Sequence, residues 1–144
     1  MTNLVGFKKR RRMKEKIKAK EDLQETIEDL KRKGKQIVFT NGCFDLVHIG
    51  HIRYLEEAKA LGDILVVGIN SDRSARLLKG RARPVVPQFA RAELVAAVKG
   101  VDLCVIFDQR DPTELLRVVR TICSARSHRR PAACAVASSL ASRA

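Results

Sequence analysis

Residues 36–54 combine a short apolar run with a glycine-bearing loop and two histidines. The run at 37–39 is β-branched and aromatic, which is typical of a buried strand. Residues 40–42 (Thr-Asn-Gly) are turn formers that end such a strand. From His51 onward the apolar residues recur at helical spacing. The stretch therefore predicts a strand, a loop and a helix, in that order.

Two histidines, His48 and His51, lie on either side of Gly50 at the predicted start of this helix. A helix start presents unpaired backbone N–H groups and a partial positive charge, which suit a phosphate group. Paired histidines are also common by chance on a surface, and they can form half of a metal site. A zinc site needs two more ligands at matching spacing, and the four cysteines contain no CxxC pair. We therefore predict phosphate binding here and no metal held by protein ligands.

The segment 39–51, Phe-Thr-Asn-Gly-Cys-Phe-Asp-Leu-Val-His-Ile-Gly-His, resembles the HxGH nucleotidylyltransferases. Within that superfamily it is similar to the cytidylyltransferase-like family, and it most resembles the heptose 1-phosphate adenylyltransferase domain. Further similar segments are Val-Gly-Ile-Asn-Ser-Asp at 67–72, Leu-Lys-Gly at 78–80 and Arg-Pro-Val at 83–85. The resemblance spans residues 21–120 and is expected to stop at Arg120.

The resemblance implies a reaction between a nucleoside triphosphate and a sugar phosphate. An oxygen of D-glycero-D-manno-heptose 1-phosphate would attack the α-phosphate of ATP, releasing pyrophosphate and giving ADP-heptose. Mg²⁺ would accompany the nucleotide and bridge its phosphates. The alternatives are transfer from CTP to glycerol 3-phosphate, and an inactive remnant that only binds nucleotide. The resemblance also implies a homodimer and a functional link to a sugar kinase.

The same resemblance assigns residues of this chain to catalysis and to nucleotide binding. His48 and His51 would stabilise charge on the phosphates, and Lys79 would clamp the transferring phosphate as a mobile cation. The predicted nucleotide-binding residues are Thr40, Asn41, Gly42, Phe44, Asp45, Gly50, Asn70, Asp72 and Arg91.

Three of the assigned side chains keep a second interpretation. Asp45 is as well suited to holding its loop by hydrogen bonds to backbone. Asp72 is at least as well placed to cap a helix that begins at residue 73. Arg91 lies on a predicted helix, where a solvated arginine needs no ligand.

The positive charge of the chain lies at its two ends. The net charge is +13, but residues 36–120 hold 12 basic and 10 acidic side chains and are nearly neutral. Basic ends on a neutral core are more often solvated than used to read nucleic acid, so nucleic-acid binding is not favoured. No apolar run reaches the length of a membrane span, which together with the scattered cysteines predicts a cytoplasmic protein with reduced thiols.

Strands alternate with helices between residues 36 and 120, which predicts an α/β fold with a three-layer parallel sheet. By resemblance this is the Rossmann-like nucleotidylyltransferase fold. We divide the chain into a disordered basic start (1–13), an incomplete nucleotidylyltransferase domain (14–120) and an atypical tail (121–144). Within the domain, residues 14–33 predict one amphipathic helix ended by Gly34.

The tail at 121–144 departs from the family pattern. It holds seven alanines, five serines and four arginines, with no lysine, glycine or acidic residue. We interpret it as a frameshifted or truncated terminus that lacks the C-terminal strands of the family. The first strand of the sheet would then expose an unpaired edge, and the chain alone would be poorly soluble and weakly active.

Overall fold

A computed structural model of the chain describes residues 12–119 and the backbone of Cys123–Arg126. Its sheet contains five strands, which are β1 (Ile17–Lys18), β2 (Ile37–Gly42), β3 (Ile64–Asn70), β4 (Leu103–Phe107) and β5 (Cys123–Arg126). They lie in the order β1-β4-β3-β2-β5, and every neighbouring pair is parallel. The predicted α/β class with a parallel sheet is confirmed.

Helices cover both faces of this sheet. They are α1 (Lys20–Arg32), α2 (Ile49–Lys59), α3 (Asp72–Lys79), α4 (Gln88–Ala96) and α5 (Thr113–Val119). Alternate residues of β3 face opposite sides because side chains on a strand alternate. Leu65 and Val67 belong to a core that includes residues of α2 and α4. Val66 belongs to a second core with residues of α1 and α5, which gives the predicted three layers.

The prediction of one continuous helix at 14–33 is wrong, because a strand interrupts it. Residues 12–16 are helical, including two residues that we expected to be disordered, but Ile17 and Lys18 form β1 before α1 begins. β1 pairs in parallel with β4, where Ile17 lies opposite Cys104. The open edge of β4 offers backbone partners and an apolar neighbour to Ile17, and these outweigh continuation of the helix.

The predicted unpaired edge of the first long strand is also wrong. β5 lies beside β2 in parallel, with Val38 opposite Cys123 and Asn41 opposite Arg126. Composition misled the prediction because a four-residue strand needs no apolar run when a neighbouring strand supplies its hydrogen bonds. Because β5 covers this edge of β2, the open edge from which we predicted poor solubility is not present. The remaining predictions for 1–11, 120–122 and 127–144 lie outside the described residues.

The strand order places a functional site at the carboxyl end of β2. From β2 the chain moves through β3 to β4 on one side, and it then returns to place β5 on the other side. In open α/β sheets, ligands bind outside the carboxyl ends of the strands at such a change of direction. None of the described helices is both long and apolar enough to cross a membrane.

Candidate active site

The loop between β2 and α2 brings both histidines to the carboxyl end of β2. Gly42 ends β2 and pairs with Ile69, so the ends of β2 and β3 lie side by side. Asn41 is one residue earlier on β2 and is partly exposed. His48 follows the loop with an extended backbone and is the N-cap of α2, which begins at Ile49.

Each histidine ring caps the first turn of α2. Nδ1 of His48 accepts a hydrogen bond from the N–H of Gly50 at 3.0 Å, and Nδ1 of His51 accepts from the N–H of His48 at 3.2 Å. The ring centroids are 4.0 Å apart. Because Nδ1 is an acceptor in both rings, each neutral imidazole carries its proton on Nε2. Two imidazole N–H donors are thereby set at the positive end of a helix.

These caps change the donors that we expected at the helix start. We predicted that backbone N–H groups would meet a phosphate directly, but the N–H groups of His48 and Gly50 are bound by the two rings. The N–H of His51 also donates, at 2.9 Å, to the carbonyl of His48. The imidazoles therefore stand between these backbone groups and any ligand.

Gly50 makes this arrangement sterically possible. A Cβ at residue 50 would lie 2.8 Å from Cε1 and 2.9 Å from Nδ1 of His48. Both separations are shorter than an ordinary contact of about 3.5 Å. Any larger residue would push the His48 ring off the helix end, which explains the glycine between the histidines.

Two predicted nucleotide-binding residues lie beneath the site. Phe44 is only 3% exposed, and its ring packs in the core with its centroid 5.5 Å from that of His51. Its φ of 49° is unusual for a residue with a side chain and turns the loop sharply back toward the core. Thr40 is fully buried, with Oγ1 2.5 Å from the hydroxyl of Tyr54 on α2. Phe44 thus packs against His51 and Thr40 is bonded to α2, while their predicted contact with nucleotide stays a prediction.

Arg91 is buried without any exposed surface and donates four hydrogen bonds to protein acceptors. Its Nε donates to the carbonyl of Val86 at 2.8 Å, and Nη1 donates to the carbonyls of Cys43 at 2.5 Å and Asn70 at 2.7 Å. Its Nη2 donates to Oδ1 of Asp72 at 2.7 Å. The solvated arginine that we kept as an alternative is therefore wrong.

The end of β3 is joined to α3 by a small polar network. Ser71, not Asp72, is the N-cap of α3, since Ser71 Oγ accepts from the N–H of Ser74 at 3.1 Å. The alternative that Asp72 caps this helix is wrong, because its carboxylate faces Arg91. Asn70 is buried and donates from Nδ2 to Oγ of Ser74 at 2.8 Å. The sequence missed Ser71, although a serine directly before a helix is a common cap.

Asp45 holds the loop that precedes α4. Its carboxylate accepts from the N–H groups of Val85 at 2.8 Å and Val86 at 3.0 Å, and from Arg83 Nη1 at 2.8 Å. Desolvation favours the neutral acid, but the hydrogen bonds from Val86, Arg83 and Val85 outweigh it and lower the pKa of Asp45. The structural role that the sequence left open is present, although the bonded loop is a neighbouring one.

Lys79 reaches the same region from the far end of α3. It is the last residue of that helix and is exposed. Burial raises the pKa of the Cys43 thiol, and the positive charges of Lys79 and Arg91 partly offset this rise. Lys79 thus contributes positive charge at Cys43, in the loop that leads to His48, and its predicted role in transfer stays a prediction.

The described side chains offer no metal cage. No group of three or more histidine, cysteine or carboxylate side chains between residues 12 and 119 could hold a metal ion. Asp45 and Asp72 are the two carboxylates predicted for the site, and each is bonded to an arginine. This donor set fits a Mg²⁺ ion held chiefly by phosphate oxygens and water.

Comparison with known proteins agrees with this geometry. The profile of the cytidylyltransferase-like family matches residues 39–137, which extends past Arg120, where we expected the resemblance to end. The chain is 52% identical over 104 residues to Bifunctional protein HldE of Nitratiruptor sp., covering 72% of this chain and 22% of that protein. It is 53% identical over 118 residues to Bifunctional protein HldE of Campylobacter jejuni subsp. doylei, and this match covers 82% of this chain and 24% of that protein. The chain thus spans less than a quarter of the length of these relatives.

A solved structure shares the fold. The lipopolysaccharide core biosynthesis protein from Thermoplasma volcanium superimposes with a TM-score of 0.58 at 33% sequence identity. The match covers 63% of this chain and 73% of that protein. Because the family profile covers more than half of the chain and includes every candidate site residue, the chain belongs to the cytidylyltransferase-like family of nucleotidyltransferases.

Proposed function

We propose that this chain transfers AMP from ATP to a sugar 1-phosphate, with D-glycero-D-manno-heptose 1-phosphate as the acceptor. The observation that carries the proposal is the pair of imidazoles at the start of α2, each fixed through Nδ1 by a backbone N–H group. The heptose acceptor depends on the resemblance of the sequence. The name of the solved relative, a lipopolysaccharide core biosynthesis protein, points in the same direction.

The chemistry is an in-line displacement at phosphorus. A phosphate oxygen of the sugar forms a bond to the α-phosphorus of ATP, and the bond to the bridging oxygen of pyrophosphate breaks. Such a transfer depends on alignment and charge stabilisation more than on covalent catalysis. No proton has to leave the attacking phosphate when it is ionised, so the site needs hydrogen-bond donors and not a general base.

The histidines supply these donors. Each Nε2–H can donate to a non-bridging oxygen of the triphosphate, where negative charge grows during transfer. The backbone N–H groups that donate to Nδ1 polarise the rings, which strengthens the donors at Nε2. His48 and His51 thereby place hydrogen-bond donors one ring width beyond the positive end of α2. Donors of this kind, fixed before the substrate arrives, contribute about 10²–10³-fold each in other enzymes.

Lys79 and Mg²⁺ complete the proposed site. Lys79 is the last residue of α3 and would place a flexible ammonium group on the transferring phosphate. Mg²⁺ would arrive with ATP and supply neutralisation of the β- and γ-phosphates. We also propose a cytoplasmic location, a homodimer and cooperation with a sugar kinase, as the resemblance implies.

A pyrophosphate-release assay tests the function. The chain is incubated with ATP or CTP, and with heptose 1-phosphate or glycerol 3-phosphate. We expect release that requires both ATP and heptose 1-phosphate. Equal or faster release with CTP and glycerol 3-phosphate would replace our acceptor and nucleotide by the alternative pair.

The variant His48→Asn provides the matched test of the site. Asparagine is a good N-cap, so it can still accept from the first turn of α2, but it lacks the imidazole Nε2–H. We expect the melting temperature to stay unchanged and kcat to fall by at least about 10²-fold. Turnover close to that of the unaltered chain would exclude His48 from the reaction.

A further inference from the structure

We propose that Arg91 is a positioning residue, which sets the histidine pair and Lys79 at the correct separation without touching the nucleotide. The inference rests on the proposed function, because it concerns how that site is assembled. It differs from the nucleotide-binding role that the sequence predicted for Arg91.

The guanidinium of Arg91 joins four segments that meet at the site. It binds the carbonyl of Cys43 in the loop after β2 and the carbonyl of Asn70 at the end of β3. It binds the carboxylate of Asp72 in the first turn of α3 and the carbonyl of Val86 in the loop before α4. One side chain therefore connects the loop that leads to His48 with the helix that ends in Lys79.

The chemistry of these contacts requires arginine. A planar guanidinium has five N–H donors in a fixed fork, and its four partners here are three carbonyl oxygens and one carboxylate oxygen. Lysine has one nitrogen and cannot reach four acceptors in several directions. A buried cation is tolerated only when it is paired, and Asp72 provides the compensating charge.

Burial excludes direct contact with a ligand. Arg91 has 0% exposed surface, while His48 is exposed at the start of α2. A phosphate could reach the guanidinium only if the segments bound to it moved apart.

A second clamp reinforces the first one at Val86. Its carbonyl is held by Arg91, and its N–H is held by Asp45, which lies between Cys43 and His48 in the sequence. The loop before α4 is thus fixed on both sides of one residue. Loss of Arg91 would free the Cys43 carbonyl and Asp72 together, so the histidine loop and α3 could shift relative to each other.

The test compares Arg91→Lys with Lys59→Met. Lys59 is a suitable control because its Nζ also links separate segments, through a 2.6 Å contact with Asp102. Asp102 binds the N–H of Leu65 at the start of β3, the end of the sheet away from the site. Melting temperature, kcat and KM for ATP are measured for both variants.

We expect Arg91→Lys to lower kcat about 10²-fold, since a displacement of about 1 Å at a reacting centre costs that much. KM for ATP should stay within about threefold, because no ligand contact is lost. Lys59→Met should lower the melting temperature by about as much as Arg91→Lys does, and its kcat should stay within about twofold of that of the unaltered chain. If Arg91→Lys raises KM for ATP with kcat unchanged, Arg91 binds the nucleotide and the proposal is wrong. If kcat falls equally in both variants, its role is only structural.

A readout without catalysis separates this inference from the proposed function. The chain has three histidines, so imidazole NMR signals can be assigned by substitution. We expect Arg91→Lys to move the signals of His48 and His51, and Lys59→Met to leave them in place. These signals test Arg91 even if the chain transfers nothing, which would refute only the proposed function. Unmoved signals in Arg91→Lys would overturn the inference.

A milder variant covers the case in which Arg91→Lys does not fold. Asp72→Asn removes the charge partner of Arg91 and leaves the three carbonyl contacts in place. We expect its kcat to fall less than in Arg91→Lys and its histidine signals to move in the same direction. Unchanged signals together with unchanged kcat in Asp72→Asn would also contradict the proposal.

Discussion

The substitution Gly50→Ala should separate stability from activity in this domain. The added Cβ would lie 2.8 Å from Cε1 of His48. An ordinary contact between such atoms is about 3.5 Å, so the ring has to move by about 0.7 Å. The hydrogen bond from the Gly50 N–H to Nδ1 of His48, which is now 3.0 Å long, would stretch or break.

Two effects on the free energy of unfolding oppose each other in this variant. Loss of an N-cap hydrogen bond costs about 1 kcal/mol. Replacing glycine by alanine within a helix stabilises it by up to about 1 kcal/mol. The melting temperature should therefore change by only a few degrees. Activity has no such compensation, because the Nε2–H of His48 leaves its place, and we expect kcat to fall about 10- to 100-fold.

The assay is steady-state transfer together with thermal unfolding, and Ile49→Ala is the matched control. Ile49 is the neighbouring residue, is 63% exposed, and loses its side chain without meeting either ring. We expect Ile49→Ala to keep both kcat and melting temperature. A Gly50→Ala variant that turns over as fast as the control would refute the steric account of the motif.

Three further predictions test other parts of the site. Lys79→Ala should lower kcat while equilibrium affinity for ATP changes little, and a large loss of affinity with normal turnover of bound ATP would assign Lys79 to ground-state binding. Asp45→Asn should lower the melting temperature near neutral pH. Hydrogen bonds lower the pKa of Asp45 in the folded state. The difference in melting temperature should therefore be present above the ordinary aspartate pKa of about 3.9, and it should vanish as the pH falls through the lower pKa of the folded state. A constant difference down to pH values of about 2 would contradict this prediction. Burial raises the pKa of Cys104 to about 12. Site-resolved alkylation at about pH 8 should therefore leave Cys104 unmodified and label Cys43 slowly. Labelling of Cys43 should be slower still with ATP bound.

The layers of the fold and the place of the site could be predicted from local patterns. The run at 37–39 and the run at 64–69 are apolar on both faces, as buried parallel strands are, and polar residues follow each run. Carboxyl ends of parallel strands share one edge, so Asn41 and Asn70 fall at the same edge of the sheet. In the structure β2 and β3 are parallel neighbours, and Asn41 pairs with Gly68, two residues before Asn70.

The sheet edges could not be predicted because their strands depend on neighbours. β1 has two residues inside an apparently helical pattern, and β5 has four residues in a segment of small and polar side chains. Neither carries a periodic signal of its own. Each forms because a longer strand leaves backbone groups unpaired, which is information from the tertiary structure.

Side-chain roles in the site were harder to predict than their location. Arg91, Phe44 and Thr40 are all buried, with protein partners that the sequence did not indicate, and their predicted contact with nucleotide stays a prediction. Sequence position shows proximity to a site and does not show which way a side chain points. The capping role of the histidine rings could not be predicted for the same reason. The glycine between them was the only local sign of that role.

The central claim is that the histidine pair of this chain promotes transfer of AMP to a sugar 1-phosphate. It is tested most directly with ATP labelled at the α-phosphorus, incubated with Mg²⁺ and heptose 1-phosphate. The account predicts label in a new ADP-sugar, formed in equal amount with pyrophosphate, only when the acceptor is present, and nearly absent with His48→Asn. Label that stays in ATP, or transfer that persists in His48→Asn, would contradict it.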